Sequence, residues 1–257
     1  MKKIVSLILI LCLASMLFVG CSTKTPAEQI AEALDKTQAL DSMDAEMTMT
    51  VTVAAQGFTM EIPMTMDIKG EALQSDAPKM KIDMSMTMLE QTAKMEMYME
   101  GDWAYYVMDG YKYKVKISEL ESEEDYSESV GSLLQDLPDD LLKDIELEEK
   151  SDGSKSVTIE IAADKFADLF EEIMEDMNSS TGTGTGAAEI TDCSVTLTLK
   201  DGYITEYAMS YDMEMTVEGI AFTGSAEASI SYKNPGTKVT VTPPEGYKDF
   251  EEMSGIG

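Results

Sequence analysis

Residues 46–53 read Glu-Met-Thr-Met-Thr-Val-Thr-Val, a strict alternation of polar and apolar side chains that decides the fold. Because side chains of an extended chain point to opposite sides at every step, this period of two predicts a β-strand with one apolar and one polar face. The same period returns in residues 60–68, 80–88, 95–99, 103–107, 111–117, 157–161, 195–199, 203–217, 220–232 and 239–241. These runs predict about ten or eleven strands, and the short connections between them predict antiparallel pairing of neighbours. Pro63 interrupts the polar side of one run and predicts an edge strand or a bulge there.

Two helices accompany these strands. Thr25-Pro26-Ala27-Glu28 combines a capping residue, a proline suited to the first helical position and a glutamate that completes a capping box, so a helix is expected to begin there and to end near Leu40. Residues 166–177 carry apolar side chains three and four apart, which predicts an amphipathic helix. The apolar face of the sheet must be shielded from water, either by closure into a barrel or by helices laid across its concave side.

The first 21 residues have the pattern of an export signal. Met1-Lys2-Lys3 is basic, residues 4–19 are apolar and uncharged, and Gly20-Cys21 follows. The end of this segment resembles the lipobox of bacterial lipoproteins, in which the cysteine carries a diacylglyceryl group and a further acyl chain such as palmitate. We therefore expect a signal peptide at 1–20, a lipidated tether at 21–25 and attachment to the extracytoplasmic face of the cell membrane through Cys21. The alternative is an ordinary signal peptide that happens to contain a cysteine.

Composition excludes several classes of function. The chain has a net charge of −30 and contains no histidine, and every basic residue is a lysine. Without histidine there is no Ser-His-Asp triad, no Cys-His pair and no imidazole metal site. So acidic a surface repels nucleic acid, which binds through cationic contacts. We predict no enzyme, no cofactor and no nucleic-acid partner.

Cysteine usage predicts a fold without disulfides. Of the three cysteines, Cys12 lies in the signal and Cys21 is the lipid attachment site, which leaves Cys193 alone. Cys193 shares one face of its strand with Val195 and Leu197, so we interpret it as a small buried apolar residue and not as a nucleophile.

Three stretches carry a family resemblance. They are the helix at Thr25 followed by Glu46-Met-Thr-Met-Thr-Val51, the hairpin Trp103-Ala-Tyr-Tyr-Val107 with Gly110-Tyr-Lys-Tyr-Lys-Val115, and the closing Ser231-Tyr-Lys-Asn-Pro-Gly236 with Val241-Thr-Pro-Pro-Glu245. Together with the element order they resemble the LolA/LppX-like lipoprotein carriers, and most closely their uncharacterised Gram-positive branch. The resemblance implies an α+β fold: a strongly curved antiparallel sheet forming an open half-barrel of about ten or eleven strands, with helices covering the concave face. It implies a single domain over 26–250, followed by a tail at 251–257. In the better-known members the concave face holds acyl chains.

Methionines dominate the predicted apolar face. Fifteen of them occupy alternating positions: 47, 49, 60, 64, 66, 80, 84, 86, 88, 95, 97, 99, 209, 213 and 215. Three interpretations compete: a packed core, an adaptable cavity for acyl chains or another apolar ligand, and Cu(I) or Ag(I) binding by thioethers. The candidate ligand-binding residues are Met47, Met49, Met64, Met66, Met84, Met86, Met97, Met99, Met209, Met213 and Met215. Trp103, Tyr105, Tyr111 and Tyr113 either line a mouth of that cavity or pack across strands.

These observations predict a membrane-anchored extracytoplasmic lipoprotein that binds or carries an apolar ligand, such as a lipid, in a methionine-rich concave cavity. The alternative is a structural or interaction lipoprotein of the envelope with a filled core, working through its acidic surface or an envelope protein partner. Metal binding by the methionines is a distant third, and no metal site is predicted.

Overall fold

The computed structural model describes residues 24–89, 91–120, 145–161, 188–217 and 220–253. Two helical segments, twelve strands and one 3-10 turn make up this part of the chain. In chain order they are α1 (Pro26–Gln38), β1 (Ser42–Ala55), β2 (Phe58–Glu71), β3 (Lys79–Met88), β4 (Gln91–Glu100), β5 (Trp103–Met108), β6 (Tyr111–Lys116), α2 (Ile117–Leu120), β7 (Glu148–Glu149), β8 (Lys155–Glu160), β9 (Ala188–Lys200), β10 (Tyr203–Val217), β11 (Ile220–Tyr232), the 3-10 turn (Tyr247–Asp249) and β12 (Glu251–Glu252).

All twelve strands form one open sheet. Its order is β12-β6-β5-β4-β3-β2-β1-β11-β10-β9-β8-β7, and every pair is antiparallel except β12 with β6. The expected meander is therefore confirmed, with β1 and β11 joining its two halves. Strands β7 and β12 have two residues each, which is too short to give a periodic signal. The strand expected at 239–241 is wrong: this segment joins no strand ladder, and the Val241 N–H donates to the Glu71 carboxylate at 3.0 Å.

Helix α1 begins as its sequence predicts. The Thr25 side chain accepts the N–H of Glu28, and the Glu28 side chain accepts the N–H of Thr25, so both halves of the capping box are present. The inward stripe of α1 buries Ile30 and Ala33 against the apolar face of β8–β10. Its last turn is fixed by Lys36, whose ammonium donates to the Asp201 carbonyl at 2.9 Å.

This helix covers one end of the apolar face. Under it lie the tightly buried side chains of the main core: Val157, Ile159, Cys193, Val195, Leu197, Leu199, Ile204 and Tyr207. The expectation that helices cover the concave face is not confirmed, because α1 packs only on the β8–β10 end and the second expected helix, at 166–177, falls outside the described residues. The buried residues of α1, Ile30 and Ala33, belong to this main core.

Pro63 lies inside the sheet and yet at a local edge. It pairs with Thr50 on β1, while the ladder between β2 and β3 begins one residue later, at Met64 and Met86. Among the described residues, Pro63 therefore has a strand neighbour on one side only. A proline nitrogen, which cannot donate a hydrogen bond, is tolerated on the unpaired side.

A second, smaller core lies on the opposite face of the sheet. Tyr98 and Tyr105 point there from β4 and β5, and Val241 and Phe250 of the C-terminal segment cover them. The Tyr247 ring packs edge-on against both tyrosines, with centroid distances of 5.2 and 4.9 Å. The C-terminal segment thus crosses this face and reaches the edge strand β6 through β12.

Candidate ligand-binding face

Strand register places the candidate methionines of β1–β4 on one face. Met47 on β1 lies opposite Met66 on β2, Met66 lies opposite Met84 on β3, and Met84 lies opposite Met95 on β4. Residues that are directly opposite in an antiparallel pair share a face, with their Cβ atoms about 4.5–5.5 Å apart. Four thioethers therefore form an unbroken row across four strands.

Parallel rows flank this one on both sides. Met49, Met64 and Met86 form a row of three across β1–β3. On the other side Met97 lies opposite Ile82, and Met99 lies opposite Met80. We call the set Met47, Met49, Met64, Met66, Met84, Met86, Met95, Met97 and Met99, with the side chains between them, the methionine face.

The methionines of β10 have a different setting. Met209 and Met213 pack against the main core under α1 and are separated from the methionine face by β11, whose facing residues are Ala228 and Gly224. A Cβ on Gly224 would lie 2.9 Å from the Met213 methyl carbon, so Met213 fills the space above this glycine. The Met215 backbone pairs with Phe222 of β11, and Met215 occupies the same alternating positions of β10 as Met209 and Met213. The structure thus brings eight of the eleven candidates together and sets the β10 residues apart from them.

Burial separates the two halves of the same face. Leu197, Val195 and Cys193 under α1 are 0–2% exposed. The methionines of the methionine face are all half-buried, and none of them belongs to either core. A fully packed core selects side chains with few rotamers, whereas methionine adapts to irregular or changing space. The covered half has the chemistry of a core, and the methionine half has the chemistry of an adaptable surface.

The aromatic hairpin corrects one expectation. Because the turn at Asp109-Gly110 pairs Met108 with Tyr111, Tyr111 and Tyr113 fall on the methionine side. Trp103 and Tyr105 fall on the opposite side, where Tyr105 belongs to the smaller core. These four aromatic residues therefore do not line one mouth.

The opposite face is polar over β1–β3 and β8–β11. Hydroxyl pairs cross its strands at 2.9 Å: Thr48 with Ser229, Thr158 with Thr196, and Ser194 with Ser210. Two open depressions of about 330 and 350 Å³ lie among these hydroxyls. The methionine face, in contrast, is a half-buried wall over β1–β4.

Charged side chains cluster on this polar face too. The Lys233 ammonium lies 3.1 Å from a Glu46 carboxylate oxygen and 3.3 Å from one of Asp67. Hydrogen bonding to Glu46 first, and then to Asp67, raises the pKa of Lys233. Both carboxylates occupy the polar phase of the same strands that present Met47 and Met66 on the other side.

Cys193 is buried, as its strand pattern predicts. It is 1% exposed and belongs to the main core. Burial, with a smaller effect of Asp192, raises the pKa of its thiol to about 11, so the thiol stays protonated and unreactive. Burial likewise raises the pKa of the neighbouring Tyr207 to about 12, and its hydroxyl donates to the Met209 sulfur at 3.8 Å.

The molecule so described is a helix-capped open antiparallel sheet with a methionine-rich apolar wall. The chain belongs to a family of unknown function, DUF6612, which it matches over residues 25–249. In the part that the structure describes, no helix is both long and apolar enough to span a bilayer. No curated protein is similar enough to match the chain.

Two solved structures are similar over most of this chain. LprF from Mycobacterium bovis is 12% identical, and the match covers 84% of this chain and 95% of LprF with a TM-score of 0.42. A DUF1329 family protein from Desulfovibrio piger is 9% identical, and the match covers 85% of this chain and 96% of that protein with a TM-score of 0.25. The strand order and register described above, and not these similarities, carry the fold assignment.

Proposed function

We propose that this protein is a lipid-anchored, extracytoplasmic lipoprotein whose methionine face binds an apolar ligand, such as the acyl chain of a lipid. One observation carries the proposal. Nine half-buried methionines gather on one face of β1–β4, four of them in an unbroken row across the four strands, on the part of the apolar face that lies outside the main core under α1. A ligand laid along these rows would meet polarizable, unbranched side chains that can rearrange around it.

The size of the methionine face suits an acyl chain. The longest row crosses four strands, and neighbouring strands lie about 4.8 Å apart, so this row extends for about 15 Å. Burial of each methylene contributes about 0.8 kcal/mol, so ten methylenes would contribute about 8 kcal/mol before the entropy lost on binding is subtracted. Such a gain is sufficient for reversible binding and release.

The lipid anchor is a separate part of the proposal. Cys21 precedes the helix cap Thr25 by four residues, which span at most about 14 Å when fully extended. An attached lipid would therefore keep α1 close to the bilayer, while a body with 49 acidic residues is repelled from anionic head groups. The Cys21→Ser variant should move from the membrane fraction to the soluble fraction, and unchanged membrane retention would rule out this anchor.

Ligand binding is best tested with variants that differ only in the face they alter. Met66→Gln with Met84→Gln places two amides at the centre of the methionine face. Thr65→Gln with Ser85→Gln places the same amides on the polar face, at an adjacent cross-strand pair of the same two strands. Uptake of a fluorescent fatty acid should fall at least about tenfold in the first double variant and stay unchanged in the second. Urea unfolding of both variants separates lost binding from lost folding.

Native mass spectrometry of the wild-type protein completes the test. A co-purified lipid that is absent from the Met66→Gln, Met84→Gln variant would support the proposal. If the wild-type protein carries no lipid and takes up no fatty acid, the binding proposal is wrong and an interaction protein with a filled core takes its place. Silver titration followed by methionine methyl NMR tests the thioether alternative, which requires shifts confined to the methionine face.

A further inference from the structure

The hairpin tips at one end of the sheet form an exposed apolar rim. Six large apolar side chains are exposed among the described residues, and five of them lie at the tips of the β1–β2, β3–β4 and β5–β6 hairpins. Their exposed fractions are 60% for Phe58, 46% for Met88, 68% for Leu89, 40% for Met108 and 74% for Tyr111. Alternate turns of an antiparallel meander lie at the same end of the sheet, so these three tips are neighbours.

The rim continues the methionine face. Phe58 lies on the same face of β2 as Met64 and Met66, because it is an even number of residues away from both. Its partner on β1, Ala55, is likewise on the face of Met47 and Met49. Met88 shares a phase with Met84 and Met86, and Met108 lies opposite both Met95 and Tyr111. The apolar wall therefore runs along the strands and ends in exposed side chains at the tips.

Charge is depleted at these tips. Residues 54–60 contain no charged side chain, residues 86–93 contain only Glu90, and residues 106–112 contain Asp109 and Lys112. The three tips together carry one net negative charge, in a chain whose net charge is −30. The next turn at this end, between β10 and β11, also carries one charged residue, Glu218, within residues 215–222.

The end of the sheet that the last turn of α1 contacts is opposite the rim. Lys36 of α1 contacts Asp201 in the β9–β10 turn, and that turn belongs to the end of the sheet that also holds Trp103 and the β4–β5 turn. Strand β2 has 14 residues, which at about 3.3 Å each places Phe58 about 43 Å from the other end of that strand, whereas on the six-residue β5 Trp103 lies about 17 Å from Met108. The rim is therefore a surface distinct from the segment that would carry the lipid anchor.

From these observations we infer that the rim docks onto a lipid surface by inserting its hairpin tips among neutral head groups. The tips are staggered along the strands, because Met108 lies on the cross-strand line of Met95, Met84 and Met66, and Met66 is eight positions from Phe58 on β2. All three belong to the same end of the sheet and present an aromatic ring, a leucine and a tyrosine, side chains that partition into the bilayer interface. Low charge at the rim removes the repulsion that the rest of this acidic chain would meet at a membrane. This inference does not depend on ligand binding by the methionine face.

The single tryptophan makes the test specific. The exported chain, residues 21–257 with Cys21→Ser, is mixed with phosphatidylcholine vesicles that contain brominated acyl chains. Trp103, at the far end, should keep its fluorescence, whereas a Phe58→Trp, Trp103→Phe variant should be strongly quenched. Absence of quenching at position 58 overturns the proposal and leaves a protein partner as the occupant of the rim.

Vesicle co-sedimentation provides the second measurement. A variant with Phe58→Ser, Leu89→Ser and Tyr111→Ser should lose about tenfold or more in partition coefficient, because it removes three exposed apolar side chains. The control is Val239→Ser, which removes a partly exposed apolar side chain two residues before Val241, whose N–H contacts Glu71 at the other end of β2, and it should bind vesicles like the parent. Equal loss in both variants would refute docking through the rim. A fatty-acid uptake assay on the triple variant shows whether the methionine face still binds its ligand.

Discussion

A substitution at each end of one cross-strand line tests whether the methionine face is a core. Leu197 on β9 and Met84 on β3 lie on the same line across six strands, which continues through Tyr207, Ile230, Met47 and Met66. Leu197 is fully buried under α1, and Met84 is half-buried. Leu and Met are similar in volume, so truncation of each to alanine removes a comparable group from two different surroundings.

The two substitutions should differ about threefold in their effect on stability. Leu197→Ala leaves a closed void and should lower the free energy of unfolding by about 3 kcal/mol. Met84→Ala opens onto a partly exposed surface, so it should lower it by about 1 kcal/mol. With a urea slope of about 2.5 kcal/mol/M for a chain of this size, the midpoints should fall by about 1.2 M and about 0.4 M.

Urea unfolding followed by circular dichroism, on delipidated protein, gives both midpoints. An equal loss for Met84→Ala and Leu197→Ala would mean that the methionine face is as tightly packed as the core under α1. That result would refute the distinction between the two halves of the face and, with it, the reason to place a ligand on the methionines. A fatty acid added at saturation should raise the wild-type midpoint and raise that of Met84→Ala less.

Three further predictions concern the contacts that surround this face. Thr25→Ala should lower stability by about 1 kcal/mol, because the Thr25 hydroxyl accepts an N–H of the first turn of α1; an unchanged melting temperature would contradict this. Cys193 should resist iodoacetamide at pH 8 in the folded protein and react readily in urea, since burial raises its pKa to about 11; rapid labelling of the native protein would show that the strand opens. Tyr247→Phe should raise the pKa of Glu100, whose carboxylate accepts the Tyr247 hydroxyl at 2.8 Å and has a lowered pKa mainly for that reason. The lowered pKa stabilises the fold above the ordinary glutamate pKa of 4.5, and this contribution disappears as the pH falls through the folded pKa. Carbon NMR titration of Glu100 should therefore give a higher pKa in the variant, and an identical pKa would exclude the bond in solution.

Much of the sheet could be predicted because its signal is local. Strict alternation at residues such as Met47 to Val53 fixes both the strand and the face of each side chain, and the described register keeps that phase without a slip across β1–β4. The helix at Pro26 could be predicted for the same reason, since its cap is formed by neighbours in sequence.

Other features depend on pairing between distant segments. The pattern at Trp103 and Tyr105 is apolar and alternating, yet these residues face away from the methionines, because the Gly101-Asp102 turn pairs Met99 with Ala104 and Glu100 with Trp103. Their cover, Tyr247 and Phe250, is more than a hundred residues away and has no periodic signal. The segment 239–241 has the composition of a strand but forms no ladder, and its Val241 N–H bonds the Glu71 side chain instead.

The sequence by itself determined that methionine sulfurs gather on one wall, because the two-residue period of an extended chain assigns every side chain to a face. Only the tertiary structure decided which part of that wall is core. Helix α1 packs where β8–β10 present Val157, Leu197 and Tyr207, and it completes the main core to which these side chains belong. The position of a covering element depends on contacts between segments far apart in the chain, which no local pattern of residues encodes.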